Sequence, residues 1–390
     1  MAANSDSFHI LHRDRTSRGR LGLLTTAHGR VRTPAFCPVA SAGAVKGVTP
    51  WQLAETGTEA LLANAYHLML RPGVRVVEEL GGLHGMMGWD MPILTDSGGY
   101  QIFSLGGRKE IRPGGRAARR LVDVTDDGVQ FASHIDGSKV FLKPETAIEI
   151  QNRLGADIIM CLDECAGHDC GAGGIERAVD RTVRWASRCK SAHSRDDQLI
   201  FGIVQGGTDL GMRRRCASEL VKLNFNGYAI GGLSLGEAPL QTIRTAAETA
   251  SLLPENMPRY LMGIGSIKEM ISAAAAGIDL FDCVLPTRNG RNGLAFTRRG
   301  PLHIKNAVHT DASGPVEPGC GCYCCRHFSR AAIRHFFNCR EMLGPVLVSI
   351  HNITFYQDLM AEARQAMEND EFGPVGGAVK KYRLRRVILL

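Results

Sequence analysis

From residue 42 onward, short apolar runs alternate with segments whose apolar residues recur every three to four positions. The runs are AGAVKGV (42–48), EALLANAYH (59–67), PILTDSGG (92–99), ADIIMCLDE (156–164), LIFGIVQGG (199–207), GYAIGGL (227–233), RYLMGIGS (259–266) and IDLFDC (278–283). Each is short and bounded by turn residues, as a buried strand is. Helical periods fill most of the gaps: TPWQLAETG (49–57), PETAIEIQNRLG (144–155), GGIERAVDRTVRWASRCKSA (173–192), MRRRCASELVKL (212–223) and IKEMISAAAAG (267–277). Thr49 reads as an N-cap, with Pro50 at the first helical position. Strands alternating with helices predict a parallel sheet. Eight repeats predict that the sheet closes, giving an α/β fold of the (β/α)8 TIM-barrel class.

The rest of the chain is organised around that barrel. Residues 1–41 read as a β-rich N-terminal extension and 42–290 as the barrel, with an insertion at 104–143. Residues 291–360 read as a zinc-binding subdomain and 361–390 as a helical, basic tail. The insertion holds a basic run (Arg108, Lys109, Arg112, Arg116, Arg119 and Arg120). After it comes DDGVQFASHIDGSKVFL, whose Asp-Gly pairs suggest a hairpin.

The ends of the strands carry the candidate chemistry. Read to their C-terminal ends they give Asn64, Asp96, Asp163, Gln205, Gly231 with Gly232, Gly263 and Asp282. One such residue alone would merely begin a solvated loop. Together they point to a site, because the C-terminal ends of barrel strands converge on one mouth. Asp282 is the most unusual. It lies between Phe281 and Cys283 in an apolar run, and Arg288 and Arg291 follow it in what reads as a Gly/Asn-rich loop. Two carboxylates flanking an anomeric carbon are the residues needed for glycosidic exchange with retention.

Composition adds bounds. The net charge of +7 is a weak pointer to an anionic partner. The N-terminus shows no signal-peptide pattern and no apolar run is long enough to span a membrane, so a cytoplasmic protein is expected. Of the twelve cysteines, most stand singly in apolar runs and read as reduced thiols. The exception is CGCYCC, which places Cys320, Cys322, Cys324 and Cys325 together. Closely spaced thiolates suit a closed, structural zinc site. The fourth ligand is open among His327, His335, Cys339 and His351. A barrel zinc hydrolase is disfavoured, because no His-x-His pair occurs.

Several segments in unbroken order, LTDSGGYQIFSL, HIDGS, DECAGH, IVQGG, GYAIGGLSLGE, YLMGIGS and FDCVLPTRNGRNG, resemble the successive motifs of the tRNA-guanine transglycosylase family. The resemblance covers residues 20 to about 360 and includes the Cys-x-Cys-x-x-Cys knuckle with a distal histidine. In length the chain resembles the bacterial, queuosine-pathway branch. The resemblance implies exchange of guanine, at the wobble position of tRNAs with a U-G-U anticodon stretch, for 7-aminomethyl-7-deazaguanine. It implies that Asp282 is the nucleophile, forming a covalent aspartyl-tRNA, and that Asp96 is the general acid/base. Asp163, Gln205, Gly232 and Leu233 would bind the base, Tyr100 and Met262 would sandwich it, and Cys165 would lie near its substituent. Arg288, Arg291 and the position of Ser266 would face the RNA. One structural Zn2+ per subunit would be held by Cys320, Cys322, Cys325 and His351, leaving Cys324 aside, and the enzyme would be a homodimer. Leu235 and Ser266 depart from the usual bacterial pattern of Val and Lys. A non-catalytic RNA-binding subunit would be expected to lack the carboxylates, yet Asp96 and Asp282 are both present.

Overall fold

The computed structural model describes residues 7–106, 122–166 and 170–373. Eight parallel strands close into a barrel. In chain order they are β1 (Ala35–Ala40), β2 (Leu61–Ala63), β3 (Ile93–Thr95), β4 (Ile158–Met160), β5 (Leu199–Val204), β6 (Gly227–Ile230), β7 (Arg259–Leu261) and β8 (Leu280–Cys283). Closure is made by β8 pairing with β1, Leu280 opposite Ala35 and Asp282 opposite Cys37. The TIM-type barrel is therefore present.

The first strand differs from expectation. AGAVKGV (42–48) forms turns, and β1 lies upstream at AFCPVA. Gly43 and Gly47 adopt positive φ, which the left-handed region allows to glycine but which breaks a strand. The helices fall where the periodicity places them, at Pro144–Leu154, Gly171–Ala192, Leu210–Lys222 and Ile267–Ala275. Thr49 caps the Pro50–Glu55 helix, and its N–H donates to the Gln52 side chain at 3.0 Å.

Strand residues separate by parity, since successive side chains face opposite sides of a sheet. Cys37, Leu62, Leu94, Ile158, Met160, Phe201, Ala229, Tyr260 and Leu280 fill the barrel interior. Phe36, Leu61, Ile93, Ile159, Ile200, Tyr228, Leu261 and Phe281 pack outward against helices. Phe8, Leu24 and Val31 join the interior cluster from the antiparallel strands Phe8–Arg13, Arg20–Thr26 and Gly29–Thr33. This sheet plugs the N-terminal end of the barrel. It is fastened there by buried Arg20, whose Nε and Nη2 donate to the two oxygens of Asp279 at 3.0 and 2.5 Å.

A second clamp sits at the same end. Buried Asp157, just before β4, accepts from the His28 N–H (3.0 Å) and the Ile93 N–H (2.8 Å). Its oxygens also lie 2.9 Å from His28 Nδ1 and 3.1 Å from His84 Nε2, and the two imidazoles stack at 3.6 Å. Burial pushes this carboxyl up. Hydrogen bonds from His84, the Ile93 N–H and His28 outweigh it and hold the pKa at about 2. A depressed carboxyl stabilises the fold above its unfolded value and loses that contribution as pH falls through the folded one. We therefore expect about 2 kcal/mol of unfolding free energy to vanish between pH 5 and pH 2 on account of Asp157. Urea titrations across that range should show a shallower pH slope in Asp157→Asn. Equal slopes would refute the assignment.

The insertion forms a three-stranded antiparallel sheet, Val122–Val124, Val129–Ala132 and Lys139–Leu142, one strand more than a hairpin. Its basic run, Arg108 to Arg120, lies outside the described residues. After β8 the stretch read as a loop is a short helix, Leu285–Asn292. Gly290 allows it to approach the long helix Leu343–Glu368, since a Cβ there would lie 2.8 Å from the Ser349 backbone. That long helix is buried nearly all round, as a helix apolar on every face should be. The small lobe that carries the cysteine cluster is inserted between these two helices.

Candidate active site

Asp282 alternates with Leu280 on the inner face of β8, so the pleat that buries Leu280 in the barrel brings Asp282 to its mouth. Both hydrogen bonds to the carboxylate go to Oδ1, from the Tyr260 hydroxyl at 2.5 Å and the Gly263 N–H at 2.7 Å. Oδ2 has no hydrogen-bond partner among the described residues. Burial pushes the Asp282 pKa up, against the pull of Tyr260 and Gly263.

Asp96 follows β3 at the same mouth. Its oxygens accept from the Ala65 N–H at 3.0 Å and from the Asn64 side-chain amide. Asn64 is itself fixed, because its Oδ1 caps the next helix by accepting from the His67 N–H at 3.0 Å. Burial, with the charge of Asp282 as a further contribution, pushes Asp96 up to about 7 despite these bonds. A carboxyl that titrates near neutrality can both donate and accept a proton under working conditions.

Asp163, beyond the end of β4, forms a third buried carboxylate. Its Oδ1 accepts from the Ser97 hydroxyl (2.9 Å) and its Oδ2 from Gln205 Nε2 (2.6 Å). Burial raises its pKa, and the bonds from Gln205 and Ser97 oppose that rise. The paired glycines of the motifs surround this cradle. A Cβ on Gly99 would lie 2.8 Å from Asp163 Oδ1, one on Gly231 2.8 Å from Gln205 Nε2, and one on Gly232 2.2 Å from Gln205 Oε1. Gln205 Oε1 is buried without a hydrogen-bond partner among the described residues. An unpaired buried acceptor is costly unless a ligand completes it. Asp163, Cys165 and Gly99 also line a cavity of about 700 Å3 that continues to Val129, Arg181 and Trp185. Asp96 and Asp282 are not among its walls.

The remaining candidates fall at the same end of the barrel. Leu233 is buried beside Gly232, and Met262 packs on the barrel interior just past β7. Tyr100 is exposed at the start of the Gly99–Gly106 helix. Ser266 is exposed and caps Ile267–Ala275. Burial raises the Cys165 thiol. Leu235 lies in a loop tied down by Glu237, which accepts from the N–H groups of Ser234 and Leu235 and from the Thr242 hydroxyl. Arg288 and Arg291 are three apart on the Leu285–Asn292 helix and so share a face. Arg288 is exposed, and Nη1 of Arg291 is buried without a partner among the described residues.

Tyr260, Ser97, Glu237 and Arg213 were not singled out from sequence. The signal for Tyr260 was its parity with Met262, which turns both inward. For Arg213 it was a cation on the apolar face of a helical period, in line with Cys216, Ala217 and Leu220.

In the C-terminal lobe the ligand atoms of Cys320, Cys322, Cys325 and His351 lie within 4.8 Å of one another. The three sulfurs are 3.6, 3.6 and 3.4 Å from His351 Nδ1. A tetrahedral ion with ordinary thiolate and imidazole bond lengths sets that edge at about 3.6 Å. His351 Nε2 donates to the Phe296 carbonyl at 2.8 Å, which leaves Nδ1 with its lone pair for a metal. Cys324 is buried but stands outside the group, and His327, His335 and Cys339 are not part of it. The four residues fit a metal ion.

A family model described as queuine tRNA-ribosyltransferase matches residues 14–379. The chain is 50% identical to a queuine tRNA-ribosyltransferase of Pelotomaculum thermopropionicum over 361 residues, 93% of this chain and 94% of that one. It is 48% identical to the protein of that name in Desulforamulus reducens, over 93% and 94% of the two chains. To the one in Lysinibacillus sphaericus it is 47% identical, over 94% and 93%.

Proposed function

The chain belongs to the queuine tRNA-ribosyltransferase family, and from that premise we propose that it is a tRNA-guanine transglycosylase working by double displacement. The observation that carries the reading is the asymmetric environment of Asp282. Tyr260 and Gly263 hold one carboxylate oxygen and leave the other free on a side chain buried at the barrel mouth. That oxygen attacks C1′ of the wobble guanosine. The C1′–N9 bond breaks, Asp96 delivers a proton to the leaving guanine, and the RNA is held as an aspartyl ester. The incoming base gives its N9 proton to Asp96 and attacks C1′, which releases the carboxylate. Exclusion of water keeps the ester from hydrolysis.

The base lies in the Asp163–Gln205 cradle. Asp163 accepts its ring and amino N–H groups, Gln205 completes its own unpaired oxygen, and Gly232 with Leu233 presents backbone to the remaining edge. Tyr100 and Met262 cover its faces. The preferred incoming base is 7-aminomethyl-7-deazaguanine, with Cys165 and Leu235 near the 7-substituent. Arg288 and Arg291 grip a U-G-U anticodon loop, past the exposed Ser266. Cys320, Cys322, Cys325 and His351 hold a structural Zn2+, which fastens the lobe and takes no part in the exchange. Trp51, on the Pro50–Glu55 helix, and Met342 and Leu343, at the start of the long helix, leave apolar surface exposed, and those two helices touch. A second copy of the chain covers this patch in a homodimer.

The test is transfer of labelled guanine into an anticodon hairpin carrying U-G-U and into a control carrying U-A-U. Incorporation is expected in the first alone, with the label displaced by 7-aminomethyl-7-deazaguanine. A metal-loaded protein that labels neither hairpin would sink the proposal. No described helix is long and apolar enough to cross a membrane.

A further inference from the structure

Arg213 is fully buried, yet no carboxylate pairs with it among the described residues. Its guanidinium donates to backbone carbonyls instead: Nε to Gly207 at 2.8 Å, Nη1 to Val204 at 2.8 Å and Nη2 to Gly232 at 3.4 Å. Burial lowers its pKa to about 10, so it remains a cation at neutral pH. Burying a charge without a counter-charge is costly. A Leu or Met at this point of the Leu210–Lys222 helix would pack beside Cys216, Ala217 and Leu220 without that cost.

The three carbonyls belong to two different strand ends. Val204 ends β5, just before Gln205, with Gly207 three residues on, and Gly232 follows β6, just before Leu233. The same helix also holds the other edge of the Val204–Gln205 peptide, because the Gln205 N–H meets Cys216 Sγ at 3.3 Å. In a planar trans peptide the N–H points away from the C=O. Holding the Gly232 carbonyl against Arg213 therefore turns the Leu233 N–H away from the guanidinium. That N–H has no hydrogen-bond partner among the described residues. Glu237 secures the far end of the loop through Ser234 and Leu235.

We propose that Arg213 is a positioning residue for base selection. Its guanidinium ties the two strand ends together, so that the Gln205 amide and the Leu233 N–H meet one purine-like edge in a single relative arrangement. The inference rests on the assignment of Gln205, Gly232 and Leu233 to the base. Planarity and several donors in a fixed fork are what the task needs. A lysine ammonium offers a point charge on a flexible stem and cannot span the three carbonyls in the same way.

The experiment compares Arg213→Lys and Arg213→Met with wild type and with Asp163→Asn. The KM for free guanine should rise about ten- to a hundredfold in both Arg213 variants, as misplacement of a binding group does, while kcat falls far less. The Kd for a hairpin abasic at the wobble position, which makes no base contact, should stay within about twofold, as expected of a separate set of contacts. Unchanged base KM in the Arg213 variants, with a rise in Asp163→Asn, overturns the role of Arg213 and leaves the base site standing. Unchanged base KM in all three overturns the base assignment itself. A base KM that rises in step with the abasic-hairpin Kd reduces Arg213 to general support of the fold. Should both variants fail to fold, hydrogen exchange at the wild-type Arg213 Nε–H decides. Guanine should slow it, and an unaltered rate overturns the proposal.

Discussion

Asp282→Asn is expected to lower base exchange by about 10⁴-fold or more, the scale on which loss of a nucleophile is felt. The substitution keeps the shape of the side chain. An asparagine oxygen can still accept from the Tyr260 hydroxyl and the Gly263 N–H, the two bonds that fix Asp282. What disappears is the anionic oxygen opposite them, and a neutral amide is a poor nucleophile. The fold should not suffer. Burial raises the Asp282 pKa, so at any pH above the unfolded value the charged carboxylate weakens the native state, and the weakening grows until the raised folded value is passed. The asparagine variant should therefore melt no lower than wild type at neutral pH. It should bind RNA within a few-fold of wild type yet give no slow-migrating RNA–protein band on a denaturing gel. A persistent band, or exchange near the wild-type rate, would remove Asp282 from the chemistry.

Loss of the metal should have the other large effect, this time on structure. The lobe has a small core: Ala295, Ile304, Val316, Cys322, Cys324 and Ile333, joined by Leu347 and Val348 of the long helix. Its one sheet pairs the two-residue strands Leu294–Ala295 and Leu302–His303. So few buried side chains do not pay for the ordering of the segment, and structural zinc commonly supplies on the order of 10 kcal/mol in such cases. Cys322→Ser, or chelation of wild type, should open the lobe and raise trypsin cleavage in it on the order of 10³-fold. Metal analysis should show about one equivalent of metal lost per chain. The barrel should keep its circular dichroism. Exchange activity should fall too, because the Leu285–Asn292 helix rests on the long helix that bears His351. A metal-free variant with wild-type proteolysis would show that the lobe stands without its ion.

Most of this architecture was legible because parallel strands are buried on both faces and read as plain apolar runs. Seven of the eight barrel strands lie inside the runs picked out from the pattern. The first was misplaced because AFCPVA holds Pro38, which argues against a central strand, whereas AGAVKGV has no proline and a single charge, Lys46. VDV in the insertion was too short to register. The three aspartates were readable from their places at strand ends. Tyr260 and Arg213 were not, because their partners come from neighbouring strands and loops, and those meet only when the barrel closes. The metal ligands were half legible. Spacing grouped the cysteines, but His351 comes from a helix whose direction the sequence did not fix.

Closure of the barrel by its last strand and last helix also sets a timetable. Gln357 Nε2 bonds the Phe36 carbonyl across a separation of 321 residues, and Arg364 reaches the Pro34 carbonyl across 330. During synthesis at roughly 5–20 residues per second, these contacts wait between roughly 15 and 60 s after Phe36 is made. Contacts this distant in sequence are slow to form and raise the contact order of the fold. For most of that interval one edge of β1 has no strand to pair with, because Phe281 of β8 follows its partner Phe36 by 245 residues, and the nascent chain emerges from the ribosome as an open sheet whose two edges have yet to find each other.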